Sequence, residues 1–281
     1  MSVTAKMERK GRKMLPKVNE DAENRIAKVK VFALDMDGTI YLDTTWIPGA
    51  REFLARVKES ERSYLFLTNN SSKNPGAYVE KLSKMGLSVS KEQIVTSGEA
   101  ACWYLKEHFP GARVGLLGNH FLAEEFEAEG IRLVDENPDV AVLGFDTELT
   151  YEKLCRFCDF VRAGVPYLAT HPDLNCPTKT GFIPDAGSFI SLVETSTGRR
   201  PDVVIGKPER TISDYLMSRL PGVERSEIAM VGDRLYTDVA AGGNAGFTSI
   251  LVLSGEATMD DAGKSDVVPD LIYDGVKDIK I

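Results

Sequence analysis

Short apolar runs alternate along this chain with stretches of helical periodicity, and the runs stop at polar clusters. Val29, Val31, Phe32, Ala33 and Leu34 make an almost unbroken apolar stretch that ends at Asp35, as in a strand buried on both faces. Residues 48–58 follow with Phe53, Leu54 and Val57 at helical spacing, and a second buried strand over 64–67 ends in Thr68-Asn69-Asn70. The same alternation predicts helices over 76–85, 99–108, 121–128 and 151–163, and strands over 113–117, 140–143 and 166–169. The last of these strands runs into Thr170-His171-Pro172-Asp173. Three more, over 203–205, 228–231 and 248–253, run into Gly206-Lys207-Pro208, Gly232-Asp233-Arg234 and Ser254-Gly255.

Strands alternating with helices predict an α/β fold with parallel sheets flanked by helices. In such sheets ligands bind outside the carboxyl ends of the strands, so Asp35, Thr68, Lys207 and Asp233 are expected to converge despite their separation in sequence. The length of 281 residues suits one or two domains, and two are expected. No internal repeat or low-complexity tract is visible.

With 43% hydrophobic and 27% charged residues, the composition is that of a folded globular chain. The net charge of −8 opposes nucleic acid and anionic membrane, so a phosphate substrate would need local cations. The first 24 residues are expected to form a solvated tail. Its Lys6, Arg9, Lys10, Arg12, Lys13 and Lys17 flank no continuous apolar stretch, which predicts neither a signal peptide nor a membrane span; an organellar targeting segment is the weaker alternative, its amphipathic pattern being poor and interrupted by Glu8 and Glu20. Cys155 and Cys158 have a metal-like spacing, but no second pair or nearby His completes a ligand set. They and Cys102 and Cys176 read as structural thiols of a reduced, cytoplasmic protein.

Transfer of a phosphoryl group needs an in-line nucleophile, cations for the phosphate oxygens and a proton for the leaving alkoxide. Asp35, at the end of a rigid strand, can attack phosphorus and form an aspartyl phosphate. Asp37 lies two residues on, where Gly38 permits a sharp turn, and can protonate the leaving group and later deprotonate water. Two carboxylates so close call for a hard divalent cation, and oxygen ligands beside a phosphate suit Mg²⁺. Asp233 is the natural third carboxylate, with Asp238 placed to hold a metal-bound water. Thr68, with the backbone N–H groups of Asn69 and Asn70, can bind phosphate oxygens, and Lys207 supplies a positive charge.

In this order, Asp35-Met36-Asp37-Gly38-Thr39, Thr68-Asn69-Asn70, Lys207, and Gly232-Asp233 with Asp238 resemble the four motifs of the haloacid dehalogenase-like phosphatase superfamily. Phe66-Leu67-Thr68-Asn69-Asn70-Ser71-Ser72, Thr96-Ser97-Gly98, Ile205-Gly206-Lys207-Pro208 and Gly232-Asp233-Arg234-Leu235-Tyr236-Thr237-Asp238 are similar to its NagD-type, 4-nitrophenylphosphatase-like branch. The resemblance runs from Lys28 to the C-terminus. It implies a Rossmann-like core, Asp35 as nucleophile, Asp37 as acid and base, and Mg²⁺ held by Asp35, the Asp37 carbonyl and Asp233. It further implies an α/β cap inserted between the second and third motifs. The core would then comprise 25–98 and 186–281 and the cap 99–185, with hinges near 97–100 and 182–187. By the same resemblance, His171 and Asp173 face the core from the cap and select the leaving group, His171 standing where the family more often carries Asn. The resemblance also allows a homodimer through the cap.

The expected activity is hydrolysis of small phosphate monoesters, sugar phosphates and nucleoside monophosphates foremost. Phosphoryl transfer of the mutase kind is the alternative on the same fold, although a mutase cap would sit just after the first motif, where the chain is short. A non-catalytic sensor of phosphorylated ligands is a third reading, against which the intact Asp35, Asp37, Lys207 and Asp233 argue. The glycines at 115–118 and 241–246 lack the full dinucleotide-binding pattern, and Trp46 and Trp103 read as packing residues, as His108 and His120 read as surface ones.

Overall fold

The computed structural model describes residues 20–178 and 180–281. Most of the expected tail lies outside them, and the helix Glu20–Lys28 begins before its anticipated end. In chain order the strands are β1 (Val31–Leu34), β2 (Tyr41–Leu42), β3 (Thr45–Trp46), β4 (Ser63–Thr68), β5 (Ile94–Thr96), β6 (Arg113–Leu117), β7 (Arg132–Leu133) and β8 (Val140–Leu143). They continue as β9 (Tyr167–Ala169), β10 (Asn175–Thr178), β11 (Gly181–Pro184), β12 (Val203–Val204), β13 (Ile228–Gly232), β14 (Thr248–Val252) and β15 (Leu271–Tyr273).

Six strands form one sheet in the order β15-β14-β13-β1-β4-β5, and every pairing in it is parallel. All four residues of β1 are buried, which explains the unbroken apolar run: neighbours cover its edges and helices cover both faces. Phe32 and Leu34 join Phe53, Leu54 and Val57 of the helix Ala50–Glu59, with Phe32 and Phe53 in edge contact at 5.5 Å. Val31 and Ala33, on the opposite face by the two-residue period, join Ala101 and Leu105 of the helix Ser97–His108 and Ile212 and Leu216 of the helix Arg210–Ser218.

A second parallel sheet has the order β12-β9-β8-β6-β7. One face packs on the helices Tyr151–Arg162 and Ala186–Thr197 through Phe157, Val161, Ile190 and Val193. The other face, with Val114, Val140, Val142 and Leu168, shares a core with the helix Ser97–His108 and so with the first sheet. The antiparallel hairpin β10–β11 extends from this second unit.

The segment 186–204 does not lie where the sequence reading put it. Ile190 and Val193 bury against the second sheet, and Val203 and Val204 pair with Leu168 and Ala169. The chain therefore returns to the first sheet at Gly206-Lys207 rather than near 182–187. On the outgoing side, β5 gives way directly to the helix Ser97–His108, which packs on both sheets.

Candidate active site

The carboxyl ends of β1, β4 and β13 meet at one edge of the first sheet, and the segment after β9 faces them from the second. Asp35 prolongs β1, its N–H donating to the Val231 carbonyl at 2.9 Å. The chain then turns tightly, the N–H groups of Ile40 and Tyr41 returning to the Met36 carbonyl at 2.9 and 3.1 Å. Gly38, in the left-handed region at φ +88°, is required twice over, since a Cβ there would also collide with the Asp233 carboxylate. Asp37 sits on this turn, partly buried, at the wall of the cleft.

After β13 the chain forms one wide π-helical turn, Leu235–Val239, in which the Asp238 and Val239 N–H groups both reach the Arg234 carbonyl at 3.1 Å. This turn buries Asp238 beneath the site, where Gly232 leaves room that any Cβ would fill. Lys207 spans the floor: its Nζ donates to Asp35 Oδ1 at 2.6 Å, Asp238 Oδ1 at 2.8 Å and the Leu67 carbonyl at 3.0 Å. Burial alone would lower this ammonium's pKa, but Asp238 and Asp35 outweigh it and raise the pKa.

Burial likewise pushes Asp35 well above the usual carboxylate range, against the pull of Lys207 and with Asp238 and Asp233 adding repulsion. Burial, and then Asp238, push Asp233 up to about 6. Asp37 is raised by burial and restrained by Lys81, Lys73 and Arg234. One Lys cannot neutralise the three carboxylates Asp35, Asp233 and Asp238, whose oxygens lie within 4.8 Å of one another. The all-oxygen donor set fits a hard divalent cation. Asp238 is already bound to Lys207 and, through Oδ2, to the Arg234 N–H at 3.1 Å, which leaves Asp35 and Asp233 to face such an ion. Asp233 is held for this by the Glu256 N–H at 2.7 Å and is wedged between Gly38 and Gly255.

Thr68 ends β4 inside the cleft, and its Oγ1 accepts from the Asn70 N–H at 3.2 Å. The Asn69 side chain is fully engaged. Its Oδ1 accepts from the Lys207 N–H at 2.7 Å, and its Nδ2 donates to the Lys207 carbonyl at 2.8 Å and to the Asp173 carboxylate at 3.2 and 3.3 Å. The Asn69 amide is thus committed to protein partners and is not free for a phosphate.

The structure corrects the expectation for His171. Its side chain is wholly buried, with Nδ1 on Thr170 Oγ1 at 2.9 Å and Nε2 on Asp185 Oδ1 at 2.8 Å, and it does not line the cleft. An imidazole with both nitrogens occupied anchors its loop and contacts no leaving group. Asp173 does reach the cleft wall, where burial raises its carboxyl and Arg234 approaches at 3.9 Å.

Sequence reasoning missed the rest of that wall: Asn175, Cys176 and Pro177 of β10, with Asp185, Arg234 and Thr237. Two of these carried a signal. Arg234 follows a strand-end Gly-Asp, and Asp185 heads an apolar helix as its N-cap. Cys176 lies at the site rather than in a core, whereas Cys158 is buried as a structural thiol would be, and all four cysteines are unpaired.

Three comparisons with known proteins bear on this geometry. Residues 32–132 match a family model described as haloacid dehalogenase-like hydrolase, and 204–279 match one described as HAD-hydrolase-like. The acid sugar phosphatase of Staphylococcus aureus is 38% identical over 241 residues, covering 85% of this chain and 92% of that protein. The crystal structure of a 4-nitrophenylphosphatase from Thermotoga maritima superposes with a TM-score of 0.87 at 47% identity, over 90% of this chain and 97% of the other. NagD from E. coli K-12 superposes with a TM-score of 0.83 at 29% identity, over 90% and 98%.

Proposed function

The chain belongs to the haloacid dehalogenase-like hydrolases and is a phosphatase, and from that premise we propose that it hydrolyses small phosphate monoesters through an aspartyl phosphate on Asp35. The observation that carries the reading is the Lys207 ammonium, shared between Asp35 and Asp238 on the floor of a cleft that also holds Asp37 and Thr68.

Asp35 attacks phosphorus in line with the ester oxygen, forming the Asp35–phosphorus bond as the bond to the leaving oxygen breaks. Asp37, which burial biases toward its protonated form, gives its proton to that oxygen. Lys207 and the Thr68 hydroxyl hold the phosphate oxygens. Asp37, now a base, takes a proton from water; the water oxygen attacks phosphorus, and phosphate leaves Asp35 free. Mg²⁺, held by Asp35, Asp233 and the Asp37 carbonyl, would neutralise charge on the phosphate oxygens.

Sugar phosphates head the substrate list, supported by the acid sugar phosphatase relatives, followed by nucleoside monophosphates, with 4-nitrophenyl phosphate as a chromogenic substitute. In this reading residues 97–205 act as a cap over the core. The allowed homodimer through the cap would cover the exposed Leu174, Phe182 and Ile183, which light scattering of the purified chain tests. The unpaired cysteines support a reducing compartment such as the cytoplasm. Among the described residues no helix is long and apolar enough to cross a membrane.

The decisive experiment is Asp35→Asn. The variant should keep the fold by circular dichroism and lose essentially all Mg²⁺-dependent turnover of 4-nitrophenyl phosphate; substantial residual turnover would refute the nucleophile.

A further inference from the structure

Asn69 is the point at which both crossings between the sheets touch the active site. The outgoing crossing contributes Ser97, whose hydroxyl donates to the Asn69 carbonyl. The return crossing contributes Lys207, whose backbone N–H and carbonyl are both bound by the Asn69 amide at 2.7 and 2.8 Å. A Cβ on the neighbouring Gly206 would meet Asn69 Oδ1 at 2.6 Å and His171 Cβ at 2.8 Å, so this segment is wedged between the two sheets' loops.

The remaining N–H of the Asn69 amide goes to Asp173, across the cleft. The loop that carries Asp173 is itself firmly placed. Its carbonyl accepts from the Gly187 N–H at 2.8 Å, and two residues earlier His171 is fixed at both ring nitrogens. Among the described residues, the side-chain hydrogen bonds to the Asp173 carboxylate come from the Asn69 amide, so its orientation is tied to Asn69 before any sugar hydroxyl arrives.

We propose that Asp173 is a positioning residue rather than a specificity residue: it orients the Asn69 amide, which holds the Lys207 backbone so that Nζ meets Asp35. The cap thereby sets the geometry of the phosphate site itself, whatever the leaving group. This role rests on the proposed phosphatase reading, in which Lys207 binds phosphate.

The test compares variants equal in charge. Asp173→Asn and Asp173→Leu both remove the negative charge and are close in size, but only Asn keeps an oxygen to accept from Asn69. Inorganic phosphate has no leaving group, so its binding, measured by calorimetry in the presence of Mg²⁺, reports on the phosphate site alone. The Leu variant should bind phosphate about tenfold more weakly than the Asn variant, the size expected for one hydrogen bond to a polar partner. The same ratio should appear in kcat/KM for 4-nitrophenyl phosphate and for a sugar phosphate, and it should collapse to about one in an Asn69→Ala background.

Equal phosphate affinities in the Asn and Leu variants, a ratio that changes with the leaving group, or a ratio that survives Asn69→Ala would each overturn the assignment. Should Asp173→Leu not fold, Asp173→Ala makes the same comparison with Asp173→Asn. Failure of the phosphatase reading would show separately, as an unmodified chain that releases no phosphate from any ester.

Discussion

At the scale of single residues, the site is a contest between burial and charge that Lys207 mediates. Its ammonium compensates Asp35 and Asp238, so Lys207→Met leaves two buried carboxylates unpaired. Such a change should cost about 3–5 kcal/mol in urea denaturation. Asp37 is separable from this knot, because its task is the leaving group. Asp37→Asn should lower kcat/KM about a hundredfold for a sugar phosphate, whose alkoxide needs the proton, and much less for 4-nitrophenyl phosphate, whose phenolate leaves unaided. A steady-state comparison of the two substrates reads this directly. The residues at strand ends, Asp35, Thr68, Lys207 and Asp233, were legible from sequence because each terminates an apolar run. The contacts of the Asn69 amide, Arg234 and Asp185 were not: Arg234 and Asp185 carried a local signal, but their partners come from other loops, and no local pattern encodes a contact between distant segments.

At the scale of elements, the helices over 48–58, 76–85, 99–108, 121–128 and 151–163 were read from their periodicity, whereas the helices Ala186–Thr197 and Arg210–Ser218 were not, and β5, β7 and β15, of two or three residues each, carry too few positions to show a period. The glycines flanking the carboxylates are the places where elements approach too closely for a side chain. Gly255→Ala puts a methyl group into Asp233, and the Mg²⁺ concentration for half-maximal activity should rise about tenfold, by the loss of one well-oriented ligand. A metal titration checks it. Elsewhere, the helix His120–Ala128 buries Glu125 against the end of β5, where Glu125 Oε1 accepts from Thr96 Oγ1 at 2.9 Å. Burial, with Glu99 adding repulsion, pushes Glu125 from the usual carboxylate range up to about 8. Glu125 is therefore protonated in the folded chain and ionised in the unfolded one across this interval. The folded state binds the extra proton, so stability is expected to fall as pH rises from about 4.5 to about 8, by up to a few kcal/mol. Glu125→Gln, neutral throughout, should flatten that decline; thermal melts at pH 5 and pH 8 compare the two chains.

At the scale of the whole molecule, the acidic chain gathers cationic groups where an anionic substrate must sit. Lys207, Arg234, Lys73 and Lys81 surround Asp35 and Asp37, although the net charge is −8. Within the cluster itself, Lys207 pairs with only Asp35 and Asp238 of the three carboxylates, so the cluster stays net negative unless a further cation joins it. Chelation should therefore reduce turnover to background, and Mg²⁺ should restore it, as a phosphate-release assay would show. The two-unit plan was legible from the distance between the second and third motifs. Its return boundary was not, because β12 looks like any short buried strand and only its pairing with β9 assigns it to the second sheet.

That boundary has a consequence for how such a protein can be rebuilt. Ser97 and Lys207 both touch Asn69, so the inserted unit leaves the core and rejoins it at nearly one point. A segment anchored in this way is transplantable. Two splice joints, just before Ser97 and just after Ile205, suffice to graft another homologue's insert onto this catalytic base, provided the graft keeps the Ala101 and Leu105 face of the helix Ser97–His108 that packs on the first sheet and brings an acid at the place of Asp173. Such a chimera should inherit its donor's taste in leaving groups while keeping this chain's grip on phosphate.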